Sequence, residues 1–394
     1  MPQILPVLLG GDANVYGMAR SFYETCGVRS LAVCKRALPA LAHSRLVRVA
    51  VQDPAFEQDS VFTATLLGLA EQYPGTTRVL LSCADGYTQL LARCAADLRG
   101  AYRFACPPPA ALAALADKQN FAAACRAAGL RTPRTVTLCP GDAVPALPFG
   151  WPVIVKPADS AAYWNCRFPG KRKVYLVEND AQLREILDAV GCSAYRGGML
   201  VQEYIPGPDT RLGVVNAYCA QDGSVPWLVQ GQPLLQERTP EGVGNYAAVL
   251  VEPVRQDKAL LDALRGLLQA AGWRGFANFD LKYDRDGEPV LFEMNPRQGR
   301  ASYCCDAAGA PLAVPVMQDL LAGGPVMPPA LRPAVWYTAP WGVVRRRCPN
   351  KLTLRRAELL RRRGRGRAHL LGEGESAARK VWFAVRQMNY YRKR

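Results

Sequence analysis

Histidine is nearly missing from this 394-residue chain, which has only His43 and His369. That argues against histidine-dependent hydrolysis and against a zinc site ligated by imidazole. The 13 cysteines include no C-x-x-C, and the adjacent Cys304 and Cys305 have no partner pair at metal spacing. They are expected as reduced, buried thiols of a cytoplasmic protein. No apolar run reaches the ~18 residues of a membrane span. The start, "MPQILPVLLGGDAN", lacks the basic stretch and cleavage site of a signal peptide and reads as a first strand. G-x-G-x-x-G is absent, so a dinucleotide site has little support. Acids are scarce at one end: residues 331–394 hold 18 Lys and Arg against Glu358, Glu373 and Glu375. That stretch carries nearly all of the +16 net charge. It is expected to be a polybasic element separate from a nearly neutral body.

The length predicts two or three domains, and 49% hydrophobic residues are enough for real cores. In residues 1–106, "ILPVLLGG", "SLAVCK", "LVRVAV" and "RVLLSC" read as strands. "NVYGMARSFYETCG" and "FTATLLGLAEQY" read as helices between them. The pattern is an open α/β unit with a parallel sheet. The turn "GGDANVYG" either receives an anion at a helix N-terminus, such as a substrate carboxylate, or is a plain tight turn. The proline run in "CPPPAALAALADKQN" marks a boundary. The expected division is 1–115, 116–205, 206–326 and a basic extension over 327–394.

One stretch poses a chemical problem. "FANFDLKYDRDGEPVLFEMNP" (276–296) reads as two strands around Asp286-Gly287, a favoured pair for a two-residue hairpin turn. That turn sets Asp280 opposite Glu293 and Asn278 opposite Asn295, with Val290, Phe292 and Met294 on a core face. Like charges directly opposite each other destabilise a sheet. Two carboxylates beside an amide do suit a hard divalent cation such as magnesium, which in turn holds substrate phosphates. Lys118 and Lys156 lie far away in sequence but are suited to phosphate oxygens. The basic, glycine-containing loop "PADSAAYWNCRFPGKRK" has the length of a lid.

Taken in order, "DK" at 117–118, "VIVKP" at 153–157, "VQEYIPGPD" at 201–209, "NFDLKYD" at 278–284 and "EMNPR" at 293–297 resemble the ATP-grasp carboxylate–amine ligases. The resemblance covers roughly residues 1–325 and implies an α/β ATP-grasp fold behind an N-terminal α/β domain. It implies ATP and magnesium, two ions, as cofactors. By resemblance, Lys118 and Lys156 contact phosphates. Gln202, Glu203 and Ile205 line the adenine, and Asp209 takes the ribose. Asp280, Glu293 and Asn295 hold the metal, and Arg297 braces the transferred phosphoryl group. Gln202 replaces the glutamate that the D-alanine–D-alanine ligases usually have, and its amide oxygen can still accept from the adenine amino group.

"GGDANVYGMARSFYE", "ADGYTQLL", "YWNCRFPGKRKV" and "VWFAVRQMNYYRKR" are similar to the D-aspartate ligases of Gram-positive cell-wall synthesis. That similarity implies D-aspartate as the acid and the lysine of a UDP-linked muramyl pentapeptide as the amine. Arg300, Lys282 and the "GGDANVYG" turn are the candidates for the carboxylate that is not activated. The alternatives are an ATP-grasp ligase for another amino acid or small peptide, and a nucleotide-binding polyanion binder. For the tail, residues 345–367 are expected either at an anionic surface, whether the membrane's inner leaflet or the nucleotide-linked precursor, or simply in solvent. Nucleic acid is a disfavoured partner.

Overall fold

The computed structural model describes residues 3–237, 242 and 244–392. β1 (Ile4–Leu9), β2 (Ser30–Cys34), β3 (Val47–Gln52) and β4 (Thr77–Ser82) form a parallel sheet in the order β3-β2-β1-β4. β1 and β2 are almost continuously apolar because both faces of a parallel sheet are covered. The Ala13–Cys26 helix follows β1 directly. Asp12 caps it by accepting from the Asn14 amide at 3.0 Å, a contact worth ~1 kcal/mol. Gly27, at φ 71°, ends it in the left-handed conformation that glycine adopts without penalty.

The second unit is a small antiparallel sheet: β5 (Thr135–Leu138), β6 (Val153–Pro157), β7 (Tyr175–Val177) and β8 (Met199–Glu203), in the order β5-β8-β6-β7. Its register sets Thr135, Gln202 and Ile154 in one row and Thr137, Leu200 and Lys156 in the next. These six residues therefore share a face. The other face, with Val153, Val155, Met199 and Val201, packs with Leu183 and Leu187 of the Asp180–Gly191 helix.

The third unit contains β9 (Leu212–Cys219), β10 (Trp227–Gln236), β11 (Tyr246–Val251), β12 (Gly275–Tyr283) and β13 (Pro289–Asn295). β14 (Ala334–Tyr337) and β15 (Gly366–Ala368) complete a seven-stranded sheet, ordered β13-β12-β9-β10-β11-β14-β15. The Lys258–Ala270 helix covers one face through Leu260, Leu264, Leu267 and Leu268. On the other face Tyr218, Trp227 and Trp336 share a core with Tyr16 and Phe22 of the first unit.

The basic stretch differs from expectation, because it is not a separate element. β14 pairs with β11, β15 pairs with β14, and Val343, Val344, Leu354 and Ala357 pack onto the sheet. Residues 368–379 then run back to the first unit. Arg379 Nη1 donates to the Ala42 carbonyl at 2.7 Å, and its guanidinium lies 4.3 Å from the Tyr16 ring centroid. Net charge averaged over the segment hides apolar positions such as Val335, Trp336 and Leu370, which commit it to the core. All thirteen cysteines are free and most are buried.

Candidate active site

Asp280 pairs with Glu293 and Asn278 with Asn295, as the hairpin predicts. The route to that register is different. The loop runs from 284 to 288, with the Asp284 amide bonded to the Glu288 carbonyl at 3.0 Å and Gly287 at φ 88°. This longer loop pairs Leu281 with Leu291, one residue out of the expected register. A bulge between Asp280 and Leu281 then restores it, leaving Phe292 as the extra residue. The alternation of sides breaks there. Val290, Leu291 and Met294 are buried, whereas Phe292 is only partly buried, packing against the edge of the central core and lining a cleft.

Side-chain amides orient the site. Asn295 Nδ2 donates to Asn278 Oδ1 and to Asp280 Oδ2, both at 3.2 Å. Asn278 Nδ2 donates in turn to Asn216 Oδ1 at 2.9 Å. With its nitrogen occupied, Asn295 presents its oxygen, which accepts from Arg297 Nη2 at 3.2 Å. Arg297 Nε also lies 2.9 Å from Asp85 Oδ1. Tyr246 donates its hydroxyl to Asp280 Oδ1 at 2.7 Å. Burial, and then the charge of Glu293, push the Asp280 carboxyl up to about 6. Burial also works against ionisation of Glu293, but Lys156, Lys118 and Lys173 together hold its carboxyl below the usual range.

Lys118 begins the Lys118–Ala127 helix, and its Nζ donates to the Pro157 carbonyl at 3.0 Å, at the end of β6. Lys156 is on β6. Burial lowers the pKa of both, and Glu293 opposes that shift. Lys173, from the long basic loop, bears on the same carboxylate. It was not singled out from the sequence, where it is one of several cations in a run. Among the described residues no site gathers three His, Cys, Asp or Glu. The donors here are two carboxylate groups and one amide. That all-oxygen set fits magnesium, which completes its shell with phosphate oxygens and water.

A cleft of about 700 Å³ opens beside this group. Lys118, Thr135, Thr137, Leu200, Gln202, Glu203 and Phe292 line it. Gln202 Nε2 donates to Thr135 Oγ1 at 2.9 Å, which leaves its carbonyl oxygen as an acceptor. Arg134 forks onto both oxygens of Glu203 at 3.0 and 3.1 Å. Ile205 is buried. Asp209 accepts from the amide and the side chain of Gln236, each at 3.0 Å. Lys282 is on this side: its Nζ lies 5.5 Å from the Tyr204 ring, and burial lowers its pKa, a shift that Asp209 opposes.

The other end of the site faces the first unit. Arg300 Nε and Nη2 are buried with no acceptor among the described residues. Asp12, in the "GGDAN" turn, feels both Arg297 and Arg300. Burial still raises its carboxyl above the ordinary value. His369 stands behind this turn. Its Nδ1 accepts from Trp336 Nε1 at 3.2 Å, so its Nε2 carries the proton and donates to the Ala13 carbonyl at 3.0 Å.

No protein-family model matches the chain. A D-aspartate ligase from Enterococcus faecium is 36% identical over 328 residues, covering 80% of this chain and 76% of that one. The vancomycin B-type resistance protein VanB of Enterococcus faecalis is 27% identical over 226 residues, covering 53% of this chain and 61% of that one. An L-amino acid ligase structure from Bacillus licheniformis matches with a TM-score of 0.60 at 16% identity, over 86% of this chain and 81% of that one. N5-carboxyaminoimidazole synthetase from Staphylococcus aureus, complexed with ADP, matches at 0.59 and 13% identity, over 84% and 81%. At such identities the two structures speak for the fold alone, which is ATP-grasp. The chain is a carboxylate–amine ligase of the ATP-grasp class. It belongs to the D-aspartate ligase family, on the strength of the E. faecium relative.

Proposed function

We propose that the chain uses ATP to activate the side-chain carboxylate of D-aspartate and joins it to the lysine amine of a UDP-linked muramyl pentapeptide. The observation that carries the activation step is the convergence of Lys118, Lys156 and Lys173 on Glu293, with Asp280 paired to it. Magnesium bound by Asp280, Glu293 and Asn295 would supply charge neutralisation for phosphate oxygens. The adenine is assigned to the cleft, its amino group donating to the Gln202 oxygen and its ring against Phe292, which lines it. That donor–acceptor match favours ATP over GTP. Asp209 is assigned to the ribose. Lys282, which lies with Asp209 and Tyr204, is assigned to the nucleotide rather than to the amino acid.

In the first step a substrate carboxylate oxygen attacks the γ-phosphorus, giving an acyl phosphate and ADP. Phosphoryl transfer needs positioning and charge more than covalent help from the protein. Lys118, Lys156 and Arg297 supply that charge, and Asn295 and Asp85 hold the guanidinium of Arg297. In the second step the lysine amine attacks the acyl carbon and releases phosphate. The long basic loop carrying Lys173 would exclude water, which otherwise hydrolyses the intermediate. Arg300 is assigned to the carboxylate that is not activated, because its two orphaned donors match that group's chemistry.

The test is ADP release with magnesium and a panel of D-aspartate, L-aspartate, D-glutamate and D-alanine, with and without the pentapeptide precursor, and mass measurement of the product. D-Aspartate and the precursor together should give turnover and an aspartyl adduct. Turnover with another acid, and none with D-aspartate, would refute the substrate while leaving the ligase class standing.

A further inference from the structure

The Ala377–Arg392 helix presents an apolar stripe to solvent. Its inner side is anchored. Trp382 and Phe383 pack on the central core, Gln387 Nε2 donates to the Thr338 carbonyl at 3.0 Å, and Tyr390 donates to Glu237 at 2.7 Å. On its outer side Val381, Val385, Met388 and Tyr391 are 65%, 54%, 51% and 54% exposed. Their spacing places them along one side of the helix. A helix on a water-facing surface normally carries polar residues there.

A basic turn adjoins the end of this stripe. The Tyr391 hydroxyl lies 3.1 Å from where a Cβ on Gly342 would sit. The next residue back, Trp341, carries the guanidinium of Arg361 at 5.3 Å from its ring centroid. Arg361, Arg362 and Arg363 are all exposed, as is Lys380 on the helix itself.

We propose that this composite face docks on the surface of an anionic lipid bilayer, with the stripe seated at the headgroup–acyl boundary and the arginines and Lys380 on lipid phosphates. Aliphatic residues beside basic ones, with a tyrosine between the two zones, are what such an interface accepts. A second copy of the chain would bring the same cations against them. A nucleic acid would use the arginines but leave Val381, Val385 and Met388 without a role. The attachment is peripheral, because no described helix is long and apolar enough to cross a membrane. Residues 345–367, expected either at an anionic surface or in solvent, supply only the charged half of the face.

Co-sedimentation of the full chain with phosphatidylcholine vesicles, with and without phosphatidylglycerol, tests this. Binding should require the anionic lipid. It should fall at least tenfold at high salt, in Val381→Ser/Val385→Ser/Met388→Ser and in Arg361→Gln/Arg362→Gln/Arg363→Gln, with circular dichroism and ADP release unchanged. Each of four results would overturn the proposal. These are equal binding to neutral vesicles, no binding to either, full binding by the serine variant, or a dimer held by the stripe that does not bind vesicles.

Discussion

Tyr246 on β11 reaches Asp280 on β12, although two strands separate them in the sheet, and donates its hydroxyl proton to Oδ1 at 2.7 Å. Asn295 holds the other oxygen of Asp280 at 3.2 Å. The carboxylate is thereby fixed before any cation arrives. Tyr246→Phe removes one charge-assisted hydrogen bond, ~1–3 kcal/mol. It should leave the fold intact and raise the magnesium concentration needed for half-maximal ADP release several-fold. An unchanged magnesium titration would deny Tyr246 this positioning role.

Asp280→Asn and Glu293→Gln should each lower turnover by at least about a hundredfold, the scale expected when a preorganised electrostatic contact to the transition state is lost. The metal-free Asp280→Asn protein should melt no lower than the parent, because it relieves repulsion between two facing carboxylates. Magnesium-dependent turnover at the parent rate in either variant would refute the metal assignment.

Arg300→Met should raise KM for the amino acid more than tenfold while leaving KM for ATP unchanged. Losing one side of a desolvated charge pair costs roughly 2–5 kcal/mol, and the orphaned nitrogens of Arg300 are placed to make one with a substrate carboxylate. A parallel rise in both KM values would point to a structural role instead.

Asp306 gives a pH prediction. It accepts from the Leu312 amide at 3.2 Å, and burial pushes its carboxyl up to about 8 from 3.8. Folded-state protonation is therefore favoured, so its contribution is fully present below the unfolded value and is lost as pH rises through about 8. Between those limits stability should fall by at most about 1.4 kcal/mol per pH unit. Asp306→Asn should flatten that slope in thermal melts, and an unchanged slope would remove Asp306 as its source.

The sequence exposed most clearly what is local or periodic. The four parallel strands and the facing of Asp280 and Glu293 could be read from alternation and a turn signal. The latter held because two irregularities cancelled: the five-residue loop 284–288 shifts the register and the bulge at Asp280 shifts it back. Neither leaves a mark in residue type, so the cleft-lining place of Phe292 is not legible there. Contacts between distant segments were invisible. Tyr246 and Lys173 lie at the candidate site only because separate units converge there. The basic tail's place in the large sheet rests on a few apolar residues that its composition conceals.

The central claim is that an amino acid's carboxylate is activated here as an acyl phosphate. Hydroxylamine trapping tests it most directly, because it needs no natural amine. With ATP, magnesium and D-aspartate, the chain should yield aspartyl hydroxamate and an equal amount of ADP, and Glu293→Gln should yield neither. Failure of any acid in a broad panel to give hydroxamate, under conditions where the chain binds ATP, would contradict the account.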